Sequence, residues 1–344
     1  MAFPNMSSRS DIKERAPGSG DWLLNHEQYT SWFDQGGMLL LSGRPGCGKT
    51  TLVDYLVTEA NQRSPDSICL SFFFQKSGQE LRRSALGLFR SLVYQILSHE
   101  DSLLEMFLKD TSFEHCWKTQ ELFEWRVSEL HDLFRSYAKR LATGGRLIRL
   151  YIDALDEAEP DCTQILLSFH QDPVREHDWL SICISSRPSS SLPTSQFTPT
   201  VNIYQENHPD AVALLNVAFI DVEARMSTRN MTISNFELPY IKERLMTRAS
   251  GLLQWLAMIV PRVVKLIERG ESVAYIVLKI DRYPKELSEV YRAILDVINE
   301  DDVEEALRLF EWIVIARQPL TLEDLQAASC LDIDTTYELS LIHI

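Results

Sequence analysis

Gly43-Arg44-Pro45-Gly46-Cys47-Gly48-Lys49-Thr50-Thr51 decides the reading of this chain. The stretch fits G-x-x-x-x-G-K-[ST], a loop that wraps phosphate groups. Before it stands a strand-like run, Met38-Leu39-Leu40-Leu41, and after it a helix-like run from Thr51 to Val57. That strand–loop–helix setting turns a pattern match into a physical expectation. Glycines let successive backbone N–H groups turn inward around phosphate oxygens. The helix that starts at the loop adds its positive dipole end. Lys49 is placed to reach the β- and γ-phosphates, and the Thr50 hydroxyl to ligate Mg²⁺. A Gly-rich turn without a ligand is the plain alternative, and it leaves the flanking strand and helix unexplained.

A phosphate loop needs a carboxylate for the metal and a group that orients water. The apolar run Leu147 to Ile152 ends in Asp153-Ala154-Leu155-Asp156-Glu157, a Walker B arrangement. Ligands of an open parallel sheet sit at the C-terminal ends of its strands, so Lys49 and Asp153 are expected to converge. Asp153 would hold Mg²⁺ through water, and Glu157 or Asp156 would polarise the attacking water as general base. The alternative is a strand end capped by solvated acids. A further apolar run, Leu180 to Ile184, ends in Ser185-Ser186-Arg187-Pro188. A guanidinium pairs well with phosphate oxygens, which makes Arg187 a candidate sensor of the γ-phosphate. A surface arginine before a loop is the other reading.

Working outward, the sequence alternates strand-like and helix-like stretches up to about residue 205. Ile68 to Phe74 reads as a second strand, Leu86 to Leu97 as a helix, and Val201 to Tyr204 as a fifth strand. From Leu122 to Leu141 the apolar positions Phe123, Val127, Leu130, Phe134, Tyr137 and Leu141 recur at steps of three and four, one face of a helix; Gly144-Gly145 end it. Asp21 to Phe33 reads as one short helix. The expected fold class is α/β: a parallel sheet covered on both faces by helices. Beyond residue 205 only helices are expected: Ala211–Ala224, Leu238–Arg248, Leu252–Leu266 and Leu287–Ile298. The acidic run Glu300 to Glu305 suits the N-terminus of another helix, and Thr321 with Asp324 forms a capping signature.

Composition narrows the function classes. The 344 residues are 45% hydrophobic and 24% charged, an ordinary globular balance. A formal net charge of −15 disfavours sequence-independent nucleic-acid binding, which needs clustered Lys and Arg. The cysteines (Cys47, Cys69, Cys116, Cys162, Cys183 and Cys330) form no C-x-x-C pair, so buried thiols in a reducing compartment are expected. His115-Cys116 lacks a second ligand pair at zinc spacing. Residues 1–20 are polar, unlike a signal peptide. The stretch Gly251–Ile267 is broken by Gln254, Pro261, Arg262 and Lys265, so no membrane span is expected. These readings together imply a cytoplasmic protein.

The phosphate loop, the string Leu150 to Glu157 (LYIDALDE) and the string Cys183 to Pro188 (CISSRP) together resemble the NACHT subgroup of STAND nucleotide hydrolases. The likeness is to the fungal NOD-like receptor and nephrocystin-like type. A small residue after the metal Asp, followed by two acids, is the mark of that subgroup; Ala154, Asp156 and Glu157 fill those places. Asp21 to Leu24 with Tyr29 and Trp32 resembles its lead-in segment, and Ser71 to Phe74 followed by Leu88 to Leu92 its second strand and helix. Ala249 to Trp255 resembles its helical lid, Tyr283 to Leu287 with Tyr291 the join to the next subdomain, and Pro319 to Leu325 the start of a winged helix. The resemblance runs from about Arg9 to Leu325. It implies a lead-in at 1–35, a P-loop NTPase core at 36–205, a helical lid at 206–290 and a partial winged-helix subdomain at 291–344. It also implies that Arg187 is the sensor, and that an effector domain and sensing repeats accompany such cores; neither is read in these residues.

The implied function is a nucleotide-dependent switch that binds and slowly hydrolyses ATP or GTP with Mg²⁺. Its partners would be nucleotide and copies of itself or other NACHT-type proteins, with no nucleic acid and no membrane. A nucleotide-bound scaffold without turnover is the alternative. A small-molecule kinase fits less well: no arginine-rich lid segment follows residue 205, and tandem acids suit water as acceptor.

Overall fold

A computed structural model describes residues 15–76, 80–110, 125–171, 180–188, 199–228, 237–296, 298, 302–316 and 320–329. His115, Cys116, Cys330, Glu300, Asp301 and Pro319 lie outside them, as do residues 1–14 and 122–124. The chain divides into two compact units: Met1–Lys76 with Leu81–Tyr283, and Pro284–Ile344 with Ser77–Glu80.

In the first unit the order begins with α1 (Asp21–Leu24) and α2 (Glu27–Gln35), then β1 (Met38–Ser42), α3 (Lys49–Arg63) and β2 (Ile68–Phe73). Next come α4 (Ala85–His99), α5 (Asp101–Lys109), α6 (Val127–Thr143), β3 (Ile148–Asp153), α7 (Pro160–Gln171), β4 (Leu180–Ser186) and β5 (Thr200–Asn202). The strands form one sheet in the order β2-β3-β4-β1-β5, and every pairing is parallel. A 5-stranded parallel sheet flanked by helices, with a phosphate loop after β1, is a P-loop NTPase fold.

Strand side chains alternate between two cores, as a period of two requires. Leu40, Leu70, Phe72, Leu150, Ile152, Ile182 and Ile184 pack on one face with α4, α5, α6 and α7. Leu39, Leu41, Tyr151, Cys183 and Val201 pack on the other with Leu23, Tyr29, Trp32 and the α3 residues Leu52, Val53 and Leu56. Every residue of β3 is buried, including Arg149. Its Nη2 donates to the Phe33 carbonyl at 3.1 Å, and its guanidinium lies 3.9 Å from the Phe33 ring centre. Cys47, Cys69, Cys162 and Cys183 are buried free thiols.

Several boundaries differ from the sequence reading for visible reasons. The single helix expected over Asp21 to Phe33 is two, because the His26 ring accepts the Gln28 N–H and caps a new start. The fifth strand stops at Asn202, where Ile203 begins a short helix, α8 (Ile203–Glu206). Helix α6 ends in the expected glycine pair, with Gly145 in the left-handed region.

Helices alone follow. α9 (His208–Thr228), α10 (Glu237–Ala249), α11 (Leu253–Glu268) and α12 (Val273–Arg282) pack on one another and bury Leu215, Phe219, Ile241, Leu245, Trp255, Ile259, Val263 and Ile280. Helix α11 runs through Pro261 without a break. An Arg244–Asp281 ion pair at 2.6 Å ties α10 to α12. Among the described residues no helix is long and apolar enough to cross a membrane.

The second unit contains α13 (Leu287–Leu295), α14 (Val303–Ile315) and α15 (Leu322–Ser329). Thr321 and Asp324 form the expected reciprocal cap at the start of α15: the Asp324 N–H donates to Thr321 Oγ1 at 3.1 Å and the Thr321 N–H to Asp324 Oδ2 at 2.9 Å. Leu307, Phe310, Ile313 and Val314 of α14 are exposed.

Close backbone approach at the start of α4 makes a testable case. Ser84 caps the helix by accepting the Gly87 N–H, and a Cβ on Gly87 would fall on the Leu81 carbonyl. Backbone cannot yield as a flexible side chain can, so Gly87→Ala should lower the free energy of unfolding by about 1–3 kcal/mol. Urea unfolding checks this, and an unchanged midpoint would contradict the packing described.

Candidate nucleotide site

The strand order explains how distant residues meet. β4 lies between β1, which leads into the phosphate loop, and β3, which carries the acids. All five strands run parallel, so their C-terminal ends share one edge. Three pieces of sequence therefore converge there: Gly43 to Thr51, Asp153 to Glu157, and Ser185 to Arg187.

The loop turns tightly from β1 into α3. Gly48 stands before the helix with φ 96°, a left-handed conformation that a side chain resists. Cys47 is buried, and its thiol fills the space over Gly43. Burial pushes that thiol above its usual range, which makes it a packing residue and a poor nucleophile. Arg44 and Pro45 are exposed, and Arg44 lies 4.7 Å over the Tyr204 ring. Lys49 Nζ donates to the carbonyls of Gly43 at 2.7 Å and Arg44 at 3.2 Å. Thr50 Oγ1 donates to Asp153 Oδ2 at 2.7 Å. Thr51 is half-buried in the first turn of α3.

Asp153 is the buried charge of the site, 2% exposed. Ser185 Oγ donates to its Oδ1 at 2.5 Å and itself accepts the Ala154 N–H at 2.9 Å. Desolvation raises the Asp153 pKa, against hydrogen bonds from Ser185 and Thr50 and the charge of Lys49. Ala154 takes φ 53°, a left-handed turn that costs an L-residue roughly 1–2 kcal/mol. That turn carries the chain into the 3-10 segment Leu155–Glu157 and accounts for a small residue at this place.

The two acids do different things. Asp156 accepts from the Arg187 N–H at 3.0 Å and the Ser186 hydroxyl at 3.4 Å, and pairs with Arg187 Nε at 2.9 Å. Its carboxylate is thus a bracket for the tip of β4. Glu157 holds Arg187 Nη2 at 3.1 Å through Oε1 and the Lys76 N–H at 3.0 Å through Oε2. Arg187 is half-exposed and bridges both acids.

Hydroxyl and carboxylate oxygens are the donors that Mg²⁺ takes. Thr50 and Asp153 are already in contact, and Asp153 carries a charge that burial penalises. This donor set fits a hard divalent cation.

Sequence reasoning did not assign Ser185 or Ser186, although both stand in the quoted string. Ser185 is fully buried at a strand tip where apolar residues precede it, and that oddity was the available signal. It also missed Asn207, a buried residue between β5 and α9 whose Nδ2 donates to the Cys47 carbonyl at 3.0 Å and the Gly251 carbonyl at 2.8 Å. The helices add a second contact from the first turn of α11: the Gln254 N–H donates to the Gly46 carbonyl at 2.9 Å. Gly251 permits the turn that precedes α11, with φ 83° and the Tyr204 carbonyl where a Cβ would stand.

Residues 18–187 match the family described as "Nephrocystin 3, N-terminal". The vegetative incompatibility protein HET-E-1 of Podospora anserina is 26% identical over 319 residues, covering 88% of this chain and 22% of that protein. The chain thus spans about a fifth of that relative's length. Among solved structures, Cdc6p from Pyrobaculum aerophilum is 13% identical with a TM-score of 0.43, covering 98% of this chain and 85% of its own. Drosophila ORC bound to DNA is 12% identical with a TM-score of 0.42, covering 94% and 74%.

Ser185→Ala would leave Asp153 Oδ1 and the Ala154 N–H without their partner inside the protein. It should cost about 1–3 kcal/mol of stability by urea unfolding. A loss under roughly 0.5 kcal/mol would mean that the serine does not support the acid.

Proposed function

We propose that this chain, similar over residues 18–187 to the nephrocystin 3 N-terminal family, works as a nucleotide-dependent switch of the NACHT type. It binds ATP or GTP with Mg²⁺, hydrolyses it slowly, and in its triphosphate state associates with itself or with other NACHT-type proteins. One observation carries the reading: Lys49, Thr50, Asp153, Glu157 and Arg187, from three distant segments, meet at one sheet edge beside a phosphate loop.

Each residue has a task set by its surroundings. The loop N–H groups and Lys49 bind the phosphates, the lysine exchanging its carbonyl contacts for phosphate oxygens. Thr50 and Asp153 would hold Mg²⁺, whose charge would offset that of the phosphates. Glu157 accepts the proton of the attacking water. Arg187 leaves the acids for the γ-phosphate, which frees Glu157 for that work. Asp156, gripped by the backbone of the β4 tip, positions Arg187.

Residues 1–35 form the lead-in, 36–205 the NTPase core, 206–290 the helical lid and 291–344 a partial winged helix in this reading. The lid contacts at Gly46 and Cys47 join it directly to the phosphate loop. Inverting a 1:99 population takes about 5.5 kcal/mol of differential binding. A γ-phosphate with its metal and one guanidinium would supply much of that through charge-assisted bonds. Buried free thiols support a cytoplasmic location, and a net charge of −15 supports partners other than nucleic acid.

A second reading, a nucleotide-bound scaffold without turnover, is favoured by one feature: both oxygens of Glu157 already hold other donors. Single-turnover hydrolysis separates the two.

Thermal melts of the purified chain with ADP, ATP, GDP and GTP, each with Mg²⁺, test the site and name the base. A nucleotide at 100 times its Kd adds about 2.7 kcal/mol of stability. Wild type should shift and Lys49→Ala should not, whereas Glu157→Gln should shift like wild type yet hydrolyse at least about a hundredfold more slowly. Equal shifts in wild type and Lys49→Ala would remove the assignment.

A further inference from the structure

The first turn of α9 joins three segments that are far apart in the chain. Asn207, 1% exposed, precedes the helix, and its carbonyl accepts the first helical bonds, from Asp210 and Ala211. Its side chain does not cap the helix. It reaches out to the carbonyls of Cys47, in the phosphate loop, and Gly251, before α11. Asp210, also 1% exposed, faces the other way. Its Oδ1 accepts the Gly20 N–H at 2.6 Å and the Ser19 hydroxyl at 3.1 Å, and its Oδ2 accepts the Trp22 indole N–H at 3.0 Å. Three donors of the lead-in thus end on one carboxylate.

The lead-in has two further anchors. Asp21 accepts the Tyr55 hydroxyl of α3 at 2.6 Å, and Arg15 lies 3.8 Å over the Tyr55 ring. His26 Nε2 meets Glu206 at 2.8 Å; its Nδ1 already accepts the Gln28 N–H, so Nε2 is the donor.

We propose that Asn207 and Asp210 couple the phosphate loop to the lead-in segment, so that nucleotide occupancy is read out at residues 15–26. The inference rests on the nucleotide-switch reading and adds to it a route and a receiver. The physical link is the rigidity of the peptide unit. The Gly46 carbonyl and the Cys47 N–H share one plane, as do the Cys47 carbonyl and the Gly48 N–H. In each plane the two groups point opposite ways. The carbonyls are held from behind by the Gln254 N–H and by Asn207. A phosphate takes the N–H side of such planes, and the Cys47 N–H has only a 3.3 Å turn bond to Arg44 to give up. Rotating a plane toward phosphate therefore changes the bond to Asn207. Asn207 moves with Asp210, because a single helical turn joins them, and Asp210 holds the lead-in. Both are positioning residues, since neither faces the phosphates.

Hydrogen exchange of the whole 344-residue chain, followed by mass spectrometry, tests the coupling. The samples are wild type, Asp210→Asn and Asn207→Ala, with and without saturating ADP and Mg²⁺. In wild type the nucleotide should slow exchange about tenfold both in the loop peptide and in the lead-in peptide around residues 15–25. In Asp210→Asn, which keeps one acceptor oxygen, the loop should still respond while the lead-in response is lost. In Asn207→Ala without added nucleotide, the lead-in and the turn before α11 should exchange faster while β1 and β3 stay protected, which also certifies the fold. A wild type whose loop is protected while its lead-in is unchanged overturns the coupling. So does an Asp210→Asn variant that keeps the full response. If equilibrium dialysis finds no nucleotide bound to wild type, the switch reading fails instead. The Asn207→Ala comparison then decides the mechanical link alone, and unchanged lead-in exchange overturns it.

Discussion

The position of β4 between β1 and β3 is the constraint on which the site depends. Side by side, those two strands would bring the phosphate loop against the acids with no room for a third contributor. Interposing β4 places the tip Ser185-Ser186-Arg187 between them. Each of its three residues then serves a neighbour: Ser185 holds Asp153, while Ser186 and Arg187 hold Asp156. The parallel direction matters equally, since reversing one strand would send its tip to the opposite edge. Register is fixed by burial on both faces, because a one-residue slip would exchange the two cores. The apolar alternation of Leu39 to Leu41 and Leu150 to Ile152 thus positions the candidate nucleotide site indirectly, through packing.

What the sequence made legible is what local physics writes locally. The phosphate loop, the apolar strand ending in Asp153, the glycine pair after α6 and the Thr321–Asp324 cap each depend on neighbours within a few residues. Helices α5, α7 and α12 escaped the reading because none is longer than 12 residues, although Ser272 caps the start of α12 and Pro160 opens α7. Asn207 and Asp210 were invisible for another reason. Their partners lie 160 and about 190 positions away, and a long-range polar contact leaves no periodicity behind. Only the folded chain shows that an asparagine after a short helix and an aspartate one turn later are buried and hydrogen-bonded to distant segments.

The buried carboxylate of Asp153 explains why the edge is polar at all. An ionised group so enclosed is penalised unless it is paired, and two hydroxyl donors cannot neutralise it. A fold selected for stability alone would place an apolar residue at the end of β3, where Phe73 stands beside it on β2. Ala154 adds a second local cost by its left-handed turn. Such departures from local preference, gathered at one edge, are what a binding site looks like in energetic terms. A divalent cation would offset the first of them, so a metal serving a phosphate here would also serve the fold.

The same logic bears on where control is exerted. Arg187 contacts both acids at the open side of the edge, and its half-exposed guanidinium can move without disturbing the core. Asn207 and Asp210 sit on the enclosed side, where neither can move without carrying a helix turn with it. An exposed ion pair of the Arg187 kind contributes little net stability, so exchanging it for phosphate is cheap. A buried polar side chain whose donors all have partners resists change, because every lost bond leaves an unsatisfied group. In the proposed switch, the chemistry of the site therefore belongs to its soft side and the transmission of its state to its stiff side. A rigid link is the one that can carry a small rotation of the phosphate-loop peptides as far as the lead-in.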